Sequence, residues 1–135
     1  MSFYDNGSII LVKNIVFKEG ELDHSYKHGR PCLIIDNDEE EITFLTIATV
    51  YKDKNYCSNY VLNNWRKLDL KHESYVNLAS IYKEKACFYK EINRIDEIEY
   101  LKILKEFLLF HKYNHEIDSV KKAVNKQLKL NKIIV

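Results

Sequence analysis

The sequence predicts an α+β fold, with a block of short strands followed by two helices. Two observations carry this. Residues 8–92 contain several β-branched or aromatic runs separated by polar turns, and from residue 93 the apolar spacing lengthens to three and four. No repeat, low-complexity tract or linker interrupts the 135 residues, so a single domain over 1–135 is expected.

The elements follow in order. "SIILVKNIVF" (8–17) reads as a strand, broken by Gly20. "PCLIID" (31–36) is a short, near-continuous apolar run typical of a buried strand, and "NDEEE" (37–41) is the turn after it. "ITFLTIATVY" (42–51) alternates and is rich in Thr and Ile. "SNYVLNN" (58–64), "SYVNL" (74–78) and "ACFYKEI" (86–92) are further strands. Ile95, Ile98, Leu101, Leu104, Phe107, Leu108 and His111 then follow helical spacing. Asn93 is the expected N-cap, with Asp96 and Glu97 in the first turn, where the helix dipole favours acids. Ile117, Val120, Val124 and Leu128 mark a second, lysine-rich amphipathic helix. The sheet should thus occupy about 7–92 and the helices about 93–131.

Composition narrows the class. The chain is 46% hydrophobic and 30% charged, with three glycines and one proline, which argues against disorder. That length buries a hydrophobic core without staples. No segment approaches the roughly 18–20 apolar residues of a membrane helix. The N-terminus lacks the basic-then-apolar order of a signal peptide, so a cytoplasmic location is expected. Cys32, Cys57 and Cys87 are odd in number and widely spaced, as reduced structural thiols would be.

The net charge of +1 conceals blocks. Residues 1–49 carry 4 basic and 9 acidic groups, residues 50–90 carry 8 and 4, residues 91–120 carry 4 and 7, and residues 121–135 carry 5 and none. Two basic blocks in a near-neutral chain point to a localised polyanion site. Lysine-rich solvated faces are the alternative.

One stretch is framed for chemistry. In "YKHGRPCLIIDND" (26–38), Gly29 permits a tight or positive-φ backbone. Pro31 restricts Arg30 to extended conformations and supplies no N–H where the strand begins. One guanidinium is thereby presented at a loop–strand junction. An ordinary turn with an exposed arginine is the competing reading.

The ordered series "GSIILV", "GRPCLIIDND", "FLTIAT", "SYVNLASIY" and "IDEIEYLKILKEFLLFH" resembles the MazF/PemK-like ribonuclease toxins over roughly residues 7–112. Within that superfamily, "YKHGRP" with "FLTIATVYK" is similar to the paired active-site segments of type III toxins of the CptN/ToxN kind. The resemblance implies a compact SH3-like, MazF-like antiparallel β-barrel with C-terminal helices. It also implies a toxin that is an endoribonuclease, cutting single-stranded RNA to 2′,3′-cyclic phosphate and 5′-hydroxyl ends. The implied partner is a structured RNA antitoxin, a pseudoknot repeat, in a closed toxin–RNA assembly, with cellular RNA as substrate and neither DNA nor membrane involved. A MazF-like toxin with a protein antitoxin and a non-catalytic RNA-binding module are the alternatives. The chain departs from the family in one respect: Val50 follows Thr49 where many relatives have Thr-Ser.

The chemistry indicates which residues such an enzyme would use. The 2′-hydroxyl attacks the adjacent phosphate, which calls for a base, an acid and donors for the developing charge. Arg30 can grip phosphate oxygens bidentately, Thr49 offers a hydroxyl at a strand end, and Lys52 brings a compact cation. Tyr26 and His28 share the Arg30 loop, and His28 titrates near neutrality. These five are the catalytic candidates.

For RNA binding, Lys27, Lys54, Arg66, Lys67 and Lys71 supply charge, while Tyr51 and Trp65 supply faces for unpaired bases. Tyr56 and Tyr60 lie in the same stretch, and some of these tyrosines must instead face the core, leaving one or two as stacking platforms. The lysines of the last helix either add phosphate contacts or form its solvated face. His111 and His115 lie i, i+4 on a helix but lack a third ligand at a recognisable spacing, so no metal or cofactor is expected.

Overall fold

The computed structural model describes residues 5–13, 29–38, 40–49, 58–85 and 90–131. It is an α+β structure: a seven-stranded antiparallel sheet followed by two helices. The strands are β1 (Ser8–Val12), β2 (Arg30–Asn37), β3 (Glu41–Thr49), β4 (Asn59–Val61), β5 (Ser74–Asn77), β6 (Tyr82–Lys85) and β7 (Lys90–Arg94). A 3₁₀ helix, Trp65–Leu68, lies between β4 and β5, and α1 (Glu97–Phe110) and α2 (Asp118–Leu130) close the chain.

The sheet runs β4-β5-β3-β2-β1-β7, with β6 also paired to β3. β1 and β2 are apolar at successive positions because both of their faces are buried. Ile9, Leu33, Ile35, Leu45 and Ile47 join the main core with Ile103, Leu104 and Phe107 of α1 and Val120, Val124 and Leu128 of α2. Ile10, Val12, Cys32, Ile34, Ile42 and Phe44 form a second cluster on the opposite face, against which Tyr82 packs.

The sheet is curled. Its path has six strands, so its ends would lie about 24 Å apart if flat, at roughly 4.8 Å per strand. Yet the Asn93 side-chain amide of β7 donates to the Lys67 carbonyl at 3.0 Å and to Asp69 Oδ2 at 2.9 Å, both in the β4–β5 connection. Side chain and loop bring the ends together. Among the described residues, no ladder joins β7 to β4 or β6.

A bulge between Ile34 and Asp36 takes one residue of β2 out of register with β3. Both helices use the carbonyl there. Gln127 Nε2 of α2 donates to Ile35 O at 2.7 Å, and the Tyr100 hydroxyl of α1 lies 3.4 Å from the same oxygen. Tyr100 also donates to Gln127 Oε1 at 2.6 Å, and burial, with the Asp36 charge second, pushes its hydroxyl pKa well up.

Two sequence expectations need correction, and one strand was not foreseen. Asn93 is not the cap of α1; it remains in β7 opposite Ile9, while Asp96 caps the helix by accepting from the Glu99 N–H at 3.3 Å. Ile98 is not on the buried face: it is 67% exposed, because Tyr100, Ile103, Leu104 and Phe107 set the helical phase. The unforeseen strand is β6, which has no apolar alternation. "YKEK" is a strand because Glu41–Phe44 pair with it, with Tyr82 stacked on Phe44 at 5.8 Å and Lys83 3.9 Å from Glu41. The second helix forms as its spacing predicts, burying Val120, Val124 and Leu128. No helix among the described residues is long and apolar enough to cross a membrane.

Candidate functional site

Two of the five expected catalytic residues, Arg30 and Thr49, lie at one end of the sheet. Gly29 precedes β2 at φ +105°, and a Cβ there would lie 3.1 Å from Leu11 Cβ and 3.3 Å from Val12 N. A side chain there would have to push β1 back by a few tenths of an ångström, and the chain turns into β2 with a torsion that glycine alone adopts readily. Arg30 follows, half-buried and paired with Val12, and Pro31 pairs with Leu11. The β2–β3 ladder begins only at Cys32↔Thr46, so the missing Pro31 donor falls where β2 has β1 alone beside it. The Cys32 thiol packs back on the Arg30 carbonyl at 3.4 Å.

Thr49 ends β3 at the same end of the sheet, directly opposite Ser74 of β5. Strand alternation separates it from Arg30 by face. Arg30 shares the face of Val12 and Cys32, whereas Thr49 continues the Leu45–Ile47 face. A ligand touching both must therefore cross the rim of the sheet. Ser74 had no signal in the sequence; the register alone brings it beside Thr49. Its hydroxyl donates to the His72 carbonyl at 2.7 Å, and the residue is buried.

Four expected RNA-binding residues lie in the connection between β4 and β5. The Arg66 guanidinium sits 4.5 Å over the Trp65 ring, and Trp65 packs against the main core. One face of the indole is therefore covered, and the planar guanidinium becomes the outer stacking surface. Lys67 and Lys71 are exposed. Because Asn93 holds the Lys67 carbonyl, this segment turns back toward β7 and away from the Arg30 end. Tyr60 packs on the main core, and burial, with Glu99 and Glu106 behind it, pushes its hydroxyl pKa up to about 12. Tyr26, Lys27, His28, Tyr51, Lys52, Lys54 and Tyr56 lie outside the described residues.

The histidine pair is divided by burial. His111 is 5% exposed, and its Nε2 meets the Leu78 carbonyl at 2.6 Å, a contact in which the ring nitrogen must donate. His115 is exposed and lies 3.8 Å from Asp118. Among the described residues, no group of three or more His, Cys, Asp or Glu could hold a metal ion. Of the α2 lysines, Lys121 bonds the carbonyls of Lys112 and Asn114 at 3.3 and 3.2 Å, fastening the helix–helix connection. Lys122, Lys126 and Lys129 are exposed.

At the rim, then, a guanidinium is framed by Gly29 and Pro31 on one face, and Thr49 is paired with Ser74, whose hydroxyl proton is committed to the His72 carbonyl, on the other. Arg30 can bind an anionic oxygen there, and the Thr49 hydroxyl can donate to a ligand that crosses the rim. No protein-family model and no curated protein sequence matches the chain.

Proposed function

We propose that this chain is an RNA-cutting toxin of the type III kind, built on a MazF-like, SH3-like barrel. It would act as a metal-independent endoribonuclease restrained by a structured RNA antitoxin. The observation that carries the reading is the framing of Arg30: a glycine at φ +105° pressed on β1, then an arginine, then a proline entering β2. Further support comes from the curled sheet with C-terminal helices and from the exposed cation Lys71, three residues before Ser74 at the rim.

In the reaction, the O2′–P bond forms as the P–O5′ bond breaks. One proton leaves O2′ and one reaches O5′. Arg30 would hold the non-bridging oxygens as their charge grows, and Thr49 would orient the phosphate. Lys52 and His28 are the candidates for moving the protons.

The test uses purified protein and a mixed-sequence single-stranded RNA with EDTA present. Cleavage that leaves 2′,3′-cyclic phosphate and 5′-hydroxyl ends, lost in Arg30→Ala, is expected. Tight RNA binding without any cleavage would replace this reading with a binding module. RNA that copurifies from the native operon and restores inhibition would identify the antitoxin as RNA; a small copurifying protein would identify it as a peptide.

A further inference from the structure

A second polar site lies away from the Arg30 rim, in a cleft of about 260 Å³ between the 3₁₀ helix and the start of α1. Buried Leu68 and Ile95 give it apolar walls, and exposed Lys67 and Arg94 line it too, Arg94 paired with the exposed Asp5 at 3.0 Å, an ion pair that a phosphate would have to displace. Asp96 and Glu99 line it from α1. Asp96 is occupied as the helix cap. Glu99 is not: it is 8% exposed, and its Oε1 is buried with no hydrogen-bond partner.

An orphaned buried carboxylate oxygen calls for an explanation. Burial, with the Asp96 charge second, raises its pKa, while Lys102 opposes. Lys102 offsets the charge in part, but Oε1 has no hydrogen-bond donor. The cleft that Glu99 lines has room for a flat group bringing donors, which would reach Oε1 once the side chain turns toward it.

The chemistry of the lining selects the ligand. It should present two adjacent N–H donors to a carboxylate, an apolar planar body to Leu68 and Ile95, and negative charge to Lys67 and Arg94. Of the four RNA bases only guanine carries two neighbouring N–H donors on its Watson–Crick edge. Adenine and cytosine place an acceptor beside their one donor group, and uracil flanks its N–H with two carbonyls, so each would set a lone pair against the carboxylate. The volume is below that of drug-sized pockets, as expected for a single base.

We propose that this cleft is a guanine-nucleotide subsite, with Glu99 reading the base edge and Lys67 and Arg94 holding the phosphate. That the nucleotide arrives as part of an unpaired RNA strand rests on the ribonuclease reading; the nucleotide site itself does not.

The experiment titrates the full chain with GMP, AMP, CMP and UMP, followed by amide chemical shifts and calorimetry, beside the cleavage assay. GMP should bind at least tenfold tighter than the others, since a bidentate base contact discriminates by about 1–3 kcal/mol. Shifts should centre on Leu68, Ile95 and Glu99. Glu99→Gln should lose at least tenfold for GMP and gain for AMP, because a carboxamide offers the donor–acceptor pair that adenine complements. Lys67→Ala should weaken GMP more than guanosine. Equal affinity for all four nucleotides, no shifts at millimolar GMP, or a Glu99→Gln profile like the wild type would overturn the subsite. If the wild type cuts RNA but ignores GMP, the subsite fails and the ribonuclease stands. If it binds GMP at Glu99 but cuts no RNA, the subsite stands and the ribonuclease fails.

Discussion

Asn93 donates its side-chain amide to the carbonyl of Lys67, 26 residues earlier, at 3.0 Å. The contact joins the last strand of the sheet to the connection at its far end. Asn93 Oδ1 also accepts the Arg94 N–H at 2.7 Å. Asn93→Ala should lower stability by about 1 kcal/mol, the usual net worth of such a bond. Asn93→Asp should cost more at pH 7, because it sets a carboxylate against Asp69 and removes the donors. Urea midpoints at pH 7 and pH 4 check both variants; the Asp variant should recover at the lower pH.

Gly29→Ala tests the framing of Arg30. The alanine would carry φ +105° and a Cβ 3.1 Å from Leu11 Cβ. A non-glycine residue held in a sparsely populated backbone region costs about 1–3 kcal/mol. Thermal melting should show that loss. An unchanged melting temperature would mean the turn relaxes freely.

Tyr100→Phe and Gln127→Leu should couple. The first leaves Gln127 Oε1 without its 2.6 Å donor; the second also removes the 2.7 Å bond to Ile35 O. Each should cost about 1–3 kcal/mol, the penalty for a buried polar group losing its partner. The double variant should cost clearly less than the two losses added together, as measured in a denaturation cycle. Strict additivity would show that the two side chains act independently.

Arg30→Ala should slow RNA cleavage by about 10²–10³-fold, the range for loss of one transition-state donor. Arg30→Lys keeps the charge without the fork and should remain impaired. Thr49→Val should slow cleavage strongly yet change affinity for a non-cleavable 2′-deoxy substrate little, since one neutral bond contributes about 0.5–1.5 kcal/mol. Wild-type cleavage by purified Arg30→Ala would remove Arg30 from the site. Affinity for the same substrate should fall with salt by roughly 0.7 log units per log unit for each phosphate contact.

Glu99 makes stability depend on pH. Its folded pKa lies above the ordinary 4.5, so the unfolded chain releases this proton at lower pH than the folded one. The stabilisation is complete below the unfolded value and is lost as pH rises through the folded one. Above the folded pKa the ionised carboxylate, its Oε1 unbonded, therefore weakens the fold, and Glu99→Gln should gain stability relative to the wild type as pH rises from 4 to 7. Urea midpoints at the two pH values decide it; a variant that loses stability relative to the wild type over that rise would reveal a favourable role for the charge.

Much of the architecture is written in local pattern. β1, β4 and β5 fall within the runs that named them, and β2 and β3 overrun theirs by single residues, Arg30, Asn37 and Glu41, because a strand buried on one or both faces must be apolar at fixed intervals while its paired ends need not be. α2 is legible from Val120, Val124 and Leu128 for the same reason. The positive φ at Gly29 was readable from residue type beside Pro31, since few other residues tolerate that backbone. The residues named for the site were legible only as chemical types. Their faces were not, because the side of the sheet a residue occupies depends on register.

The remainder depends on partners distant in the chain. Asn93 has the chemistry of a cap, and nothing local says that β7 will hold it opposite Ile9 and bond it to Lys67. Asp96 inherits the cap only because the strand ends at Arg94. "YKEK" carries no strand period, and Glu41–Phe44 make it a strand by pairing with it. Glu99 looks like an ordinary first-turn acid, yet the approach of α1 to the 3₁₀ helix buries it without a partner. The sequence by itself therefore determined which segments bury an apolar face, because periodicity is a property of neighbours in the chain. Only the tertiary structure decided which polar groups meet and which are stranded, because hydrogen bonds and burial across 26 or more residues depend on how the segments pack.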